Sequence, residues 1–324
     1  MFRFFLGLGE AGNWTAAPKA VSEWFPAKER GIAIGIYTLG ATIGATIAPV
    51  LIIGLASWHS WQAAFVVTGL AGLLWLIPWL WLYRKPEQHP RITDAERTLI
   101  AAGNVTELTA AGGDTVGWGK WWQLFSRREV WLLIFGRMLT DPVWYFFQFW
   151  FAKFLYDGRG LDQRSLSVTW IIFLAADVGA LAGGWFSGRL IKRKIAPAAS
   201  RLWVMLGCAA LVPLAALIPQ VEALWLVLAF GMIAVLAHMA WLINLSALVV
   251  DLVPKPSLAT TFGIVAAGSS LGGLIMNKAV GAIVTDHSYN PAFYLMAALH
   301  PIAWLLLWRL RRPSAAKPAP GARC

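Results

Sequence analysis

The sequence predicts an all-α integral membrane protein, and three observations carry that expectation. Of its 324 residues, 58% are hydrophobic and only 13% charged, with a mean hydropathy of +0.62; a soluble domain carries about a quarter charged residues. Apolar stretches of about twenty residues, each long enough to cross a bilayer as a helix, recur along the chain. Lysine and arginine collect between alternate stretches, as they do in multi-pass proteins.

The spans fall at 1–22, 31–55, 61–83, 131–156, 165–191, 201–219, 223–250, 258–284 and 291–310, about nine in all. The one long connection, 84–130, is rich in Pro, Gly and mixed charge. It divides the chain into residues 1–83, read as three helices of an amino-terminal bundle, and residues 131–311, a six-helix bundle, with 312–324 as a tail. Three plus six is lopsided for a protein built of repeated bundles, and the expectation is three further spans ahead of Met1. Four glycine pairs at helix-contact spacing, Gly31/Gly35, Gly40/Gly44, Gly179/Gly183 and Gly268/Gly272, predict close helix packing. Pro18, Pro49, Pro142 and Pro213 are candidate kinks.

The formal charge of +11 follows topology. Twenty Lys and Arg lie on the side of the 84–130 loop and the carboxyl terminus, and only Arg159 and Arg164 on the other. The positive-inside rule makes the loop and the carboxyl terminus cytoplasmic. The same distribution argues against nucleic acid as the partner. Cys208 and Cys324 offer neither a disulfide framework nor metal-ligand spacing. Without a nucleotide fingerprint, metal cluster or nucleophile motif, the expectation is a non-enzyme without a cofactor, driven by an ion gradient.

Ionisable residues inside spans are the functional candidates. Arg3 and Glu10 are seven apart, which places them on one helix face on the order of 10 Å apart along the axis. A permanently charged guanidinium suits an organic anion, and a buried carboxyl suits proton uptake and release. In the span from 131, Arg137 and Asp141 lie four apart, and Asp141, Trp144, Tyr145 and Gln148 share a face. A carboxylate, two rings with polar edges and an amide look like the lining of a sugar site. His238, Trp241 and Asn244 recur at three-residue intervals; Asn244 offers donor and acceptor to a polyol, whereas His238 reads as a structural hydrogen bond. Asp177 is either a helix-contact carboxylate or a proton site, and Asn277 and Lys278 are snorkelling or gate residues.

These residues carry a resemblance. RFFLGLGEAGNWTAAPKAVSEWFPAKERGIAIG at 3–35, with its Arg-x₆-Glu spacing, WFP and ER pair, resembles the fourth and fifth helices of the anion:cation symporter family within the major facilitator superfamily. HPRITDAERTLI at 89–100 is similar to the loop after that family's sixth helix. LTDPVWYFFQFWFAKFLYDGRGL at 139–161 and HMAWLINLSALVVDLVPK at 238–255 resemble the seventh and tenth helices of its bacterial hexuronate transporters. The resemblance implies a twelve-helix fold of which this chain begins at the fourth helix, in a bacterial inner membrane, as a monomer. It implies proton-coupled uptake of a sugar acid by alternating access. Arg3 would bind the carboxylate, Glu10 would be the protonation site, and the aromatic stripe with Trp241 and Asn244 would meet sugar hydroxyls. Other organic anions, and a receptor or remnant that moves nothing, are the alternatives. GGWFSGRLIKRK at 183–194 resembles the family's gating motif, with Gly188 where an aspartate is usual, so weaker charge pairing is expected there.

Overall fold

The computed structural model describes residues 2–100, 121–162, 165–286 and 288–311. Nearly all of it is helical: α1 (Phe2–Trp24), α2 (Ala27–Trp58), α3 (Trp61–Leu82), α4 (Arg128–Phe149), α5 (Phe151–Arg159), α6 (Trp170–Lys192), α7 (Pro197–Leu211), α8 (Leu224–Leu252), α9 (Lys255–Asp286) and α10 (Asn290–Leu307). Among the described residues, six helical stretches are long and apolar enough to cross a membrane: Trp61–Leu82, Trp170–Lys192, Pro197–Gln220, Leu224–Leu252, Pro256–Thr285 and Asn290–Arg311. The chain is therefore a multi-pass, all-helical membrane protein, although that measure does not reach the expected count of nine. In α4 the charges that matter later, Arg137 and Asp141, dilute the apolar run.

Two expected spans have internal structure. The span expected at 131–156 is two helices, broken at Trp150 and stopped by Gly160, whose left-handed φ of +67° lets the last turn of α5 close with Leu161 N–H on Leu155 O. The span expected at 201–219 begins as α7 and tightens into a 3-10 helix over Val212–Gln220, where Pro213 and Pro219 supply no N–H for an α-helical ladder. In the connection after α3, Thr93 and Glu96 form a reciprocal capping box at the start of the helical residues 94–100.

The core belongs to the second half. Leu133, Val143, Phe146, Trp241, Leu245, Phe293 and Met296, from α4, α8 and α10, are buried to 1% exposure or less. α1 and α2 pack across onto that half, α2 chiefly on α6 and α1 on α9, while α3 touches mainly α2 and has one buried residue, Ala64. Three glycine pairs act as expected. A Cβ on Gly183 would stand 2.6 Å from the Ala240 Cα, one on Gly31 2.9 Å from the Gly184 Cα, and one on Gly268 2.8 Å from the Ile134 side chain. Such contacts bring α6 against α8, α2 against α6, and α9 against α4. The fourth pair does not: Gly40 and Gly44 face open space.

Candidate functional site

α4 positions the central group. Pro142 leaves the Met138 carbonyl without its ladder donor, and Gly272 of α9 has no side chain to collide with that oxygen, so α9 closes onto α4 at this turn. One turn back on the same face, Arg137 Nε donates to Asp141 Oδ2 at 2.7 Å. The Arg137 side chain is 15% exposed and that of Asp141 6%. The guanidinium lies 6.0 Å from the centre of the Phe262 ring of α9. The Asp141 Oδ1 is buried without a hydrogen-bond partner among the described residues.

The aromatic stripe splits between two neighbours. Trp144 lies parallel to the His238 ring of α8, centroids 6.4 Å apart, whereas Tyr145 turns to α9, with its hydroxyl 3.5 Å from Ser269 Oγ and its ring over Gly273. Gln148 is exposed. Arg137, Asp141, Tyr145 and Gln148 thus share a strip of α4 beside α9, and Trp144 belongs to the packing of α4 on α8.

Trp241 and Asn244 lie in the packing of α8 against α6 and α10. Both are fully buried. Trp241 packs edge-on against His300 of α10, and the Asn244 amide donates to the Gly183 carbonyl at 2.9 Å and the Ala240 carbonyl at 2.8 Å. The Asn244 Nδ2 is thus engaged by helix carbonyls, whereas the Asn244 Oδ1 and the Trp241 indole Nε1 are buried without a hydrogen-bond partner among the described residues. Gly183 brings α6 so close to α8 that its carbonyl reaches the amide. His238 makes the structural hydrogen bond expected of it, to His300, with Nδ1 and Nε2 3.2 Å apart. Asn277 accepts from the Trp150 indole at 2.8 Å and so ties α9 to the α4–α5 break, while Lys278 is exposed. Asp177 is half-buried, with Oδ1 lacking a partner among the described residues. The side chains of Arg3 and Glu10 lie outside the described part of the structure; α1 carries both positions on its backbone.

A second cluster was missed because its arginines read as topological charge. Arg30 at the start of α2 and Arg201 of α7 are fully buried and share one carboxylate: Arg30 Nη1 meets Asp251 Oδ1 at 3.1 Å and Arg201 Nε meets Asp251 Oδ2 at 3.2 Å. Arg201 also donates to Ser187 Oγ at 2.6 Å and to the Ala27 carbonyl at 2.7 Å, and Arg30 Nε to the Phe25 carbonyl at 3.1 Å. The signal available in the sequence was Asp251 itself, an acid at the end of an otherwise apolar span. Gly188 takes its meaning here. A Cβ there would stand 2.6 Å from the Lys28 carbonyl, so its absence lets α2 seat on α6. At this end the carboxylate comes from Asp251 of α8, and the cations of the 183–194 motif itself make no ion pair among the described residues.

Comparison with known proteins agrees with this architecture. The Major Facilitator Superfamily profile matches residues 1–246 and 198–323. The chain is 29% identical to the hexuronate transporter of Escherichia coli K12, over 94% of this chain and 70% of that protein. It is 34% identical to the galacturonate transporter of Dickeya chrysanthemi, over 56% of this chain and 52% of the relative. Among solved structures, the proton:xylose symporter XylE bound to 6-bromo-6-deoxy-D-glucose superposes with a TM-score of 0.67 at 13% identity, covering 91% of this chain and 67% of that one. With a profile match along nearly its whole length, the chain belongs to the major facilitator superfamily.

Proposed function

We propose that the chain works as a secondary transporter that moves a sugar acid, of the glucuronate or galacturonate kind, together with protons across a bacterial inner membrane by alternating access. The observation that carries the reading is the Arg30–Asp251–Arg201 cluster, which joins α2 to α7 and α8 across the seam between the two halves. A buried ion cluster adds little net stability compared with apolar packing, but its bonds across the seam, Arg30 to Asp251 and Arg201 to the Ala27 carbonyl, are made or broken together when the halves move, which suits a two-state closure. Similarity to transporters of hexuronate and galacturonate supports the substrate class.

In this scheme the carboxyl terminus and the α2 start are cytoplasmic by the positive-inside rule, so the structure corresponds to a state shut toward the cytoplasm. Arg3 takes the carboxylate, Glu10 takes the proton, and the α4 strip of Arg137, Tyr145 and Gln148 meets the sugar. The monomer is the working unit, without cofactor or catalytic step. A different acid is the second reading, favoured by 26% identity to the D-galactonate transporter of Escherichia coli O6:H1 over 92% of this chain.

Uptake of radiolabelled glucuronate into cells lacking their own hexuronate carrier and expressing the chain tests the proposal. Accumulation abolished by a protonophore, and by Glu10→Gln, is the expected result. Binding without flux supports a receptor instead, and neither binding nor flux from a membrane-inserted protein overturns the transport reading.

A further inference from the structure

The Arg137–Asp141 pair is held in a one-pronged geometry. A guanidinium carries five N–H donors and grips a carboxylate most strongly through two parallel bonds. Here only Nε is engaged, by Asp141 Oδ2 at 2.7 Å, and the remaining four donors on the two Nη atoms find no acceptor among the described residues. The second carboxylate oxygen, Asp141 Oδ1, is buried and equally without a donor. The guanidinium carbon lies 6.0 Å from the centre of the Phe262 ring, and Arg137 shares its α4 strip with the half-buried Tyr145 and the exposed Gln148. The Nη edge is the one that recognises carboxylates, in a partly exposed side chain, next to a buried negative charge.

We propose that Asp141 sets substrate specificity by masking Arg137, so that the site accepts sugar acids with one carboxylate and rejects those with two. This deepens, and rests on, the sugar-acid reading above. The paired arginine offers donors to neutral hydroxyl or carbonyl oxygens, because the pair is neutral overall. A second substrate carboxylate at Arg137 would leave two anions around one cation between largely buried side chains, where like charges brought together are strongly disfavoured. Removal of the Asp141 charge turns Arg137 into an uncompensated anion site. Asp141 is thus a specificity residue acting through Arg137 and need not touch the substrate. The discrimination is by repulsion of the wrong ligand, a common means of specificity.

The test is ligand-induced thermal stabilisation and competition binding on the purified full chain in lipid nanodiscs, with glucuronate and galactonate as monoanions and galactarate and glucarate as dianions. The parent is expected to bind monoanions only. Asp141→Asn is expected to raise the dianion-to-monoanion affinity ratio at least tenfold. Arg137→Gln, which leaves a lone buried carboxylate, is expected to lose both classes, and Arg137→Gln/Asp141→Asn to recover monoanion binding without dianion binding. An unchanged ratio in Asp141→Asn overturns the proposal. If Asp141→Asn does not fold, the double variant decides: loss of monoanion binding in a folded double variant would show that the Arg137 charge itself ligates the substrate. Should the parent bind none of these acids, the sugar-acid reading fails first; should it bind both classes equally, only the present inference fails.

Discussion

Asp251→Asn is the perturbation that separates a closure device from a static brace. In the structure one carboxylate bridges two fully buried guanidinium groups at 3.1 and 3.2 Å, and its own side chain is 3% exposed. Breaking a buried pair by removing one partner costs about 3–5 kcal/mol. Asparagine keeps one acceptor oxygen, and Arg201 keeps its bonds to Ser187 and Ala27, so the lower figure is the better guide. Arg201 and Asp251 belong to the same half, so opening separates Asp251 from Arg30; if the second conformation hydrates Arg30, the cost of its lost partner falls on the closed state alone. About 3 kcal/mol then shifts the equilibrium toward the open state by roughly a hundredfold. Ser22, 1% exposed near the end of α1 and two residues before its last, is a suitable reporter. In a background with Cys208 and Cys324 replaced by serine, Ser22→Cys should react with a polar maleimide at least tenfold faster when Asp251→Asn is added. A labelling rate within twofold of the parent, accompanied by a lower melting temperature, would refute the closure argument and leave the cluster as structural reinforcement.

Three further outcomes follow from the geometry. Gly183→Val places branched carbons where the Ala240 Cα stands 2.6 Å from the Cβ position, and overpacking by about 1–3 kcal/mol or more should lower the melting temperature, measured in detergent, by several degrees. Gly188→Asp, which restores the residue usual in the resembled gating motif, should loosen closure, because its Cβ meets the Lys28 carbonyl at 2.6 Å; faster labelling of the Ser22→Cys reporter is expected. Outside the membrane spans, hydrogen bonds from Lys153 and then Tyr289 hold the Asp157 carboxyl below the usual aspartate range. A depressed folded-state pKa stabilises above the unfolded value of about 3.9 and is lost as pH falls through the folded value. Asp157→Asn should therefore flatten the acid limb of the melting profile below about pH 4 and leave its neutral plateau with a smaller stability, read by thermal denaturation from pH 2 to 7.

Apolar length and glycine spacing made the helices and three of the four close helix contacts legible, because both follow from local rules: lipid demands satisfied backbone, and small residues permit approach. The partner of each helix was less legible. Gly31 and Gly40 are equivalent as sequence, yet one meets Gly184 and the other open space. Trp144 and Tyr145 are neighbours on one helical face but part toward α8 and α9, since a face as wide as a helix turn spans two neighbouring helices. Asn244 illustrates the same limit: its chemistry suits a polyol, and its carbonyl partners come from Gly183 and its own helix.

Charge was the feature most easily misread, and the reason is physical. A lysine or arginine near a span end satisfies the positive-inside rule whether it is solvated or buried, so Arg30 and Arg201 carry the same topological information as the exposed Arg309 side of the chain. What distinguishes them is an acid within reach, and Asp251 lies 221 residues from Arg30 and 50 from Arg201. Asp141 of α4 and Asp251 of α8 then play different parts. Asp141 pairs with an arginine one turn away on its own helix, so it tunes local charge without joining elements. Asp251 pairs across three helices, so its bonds report on their relative positions. A pair within one helix survives a rigid-body movement of the halves; the Arg30–Asp251 pair, which crosses the seam, does not. The labelling experiment on Asp251→Asn and the selectivity experiment on Asp141→Asn therefore read independent properties, and a double variant should show additive effects on the two readouts. Coupling of more than about 1 kcal/mol between them would mean that substrate charge and closure share one network.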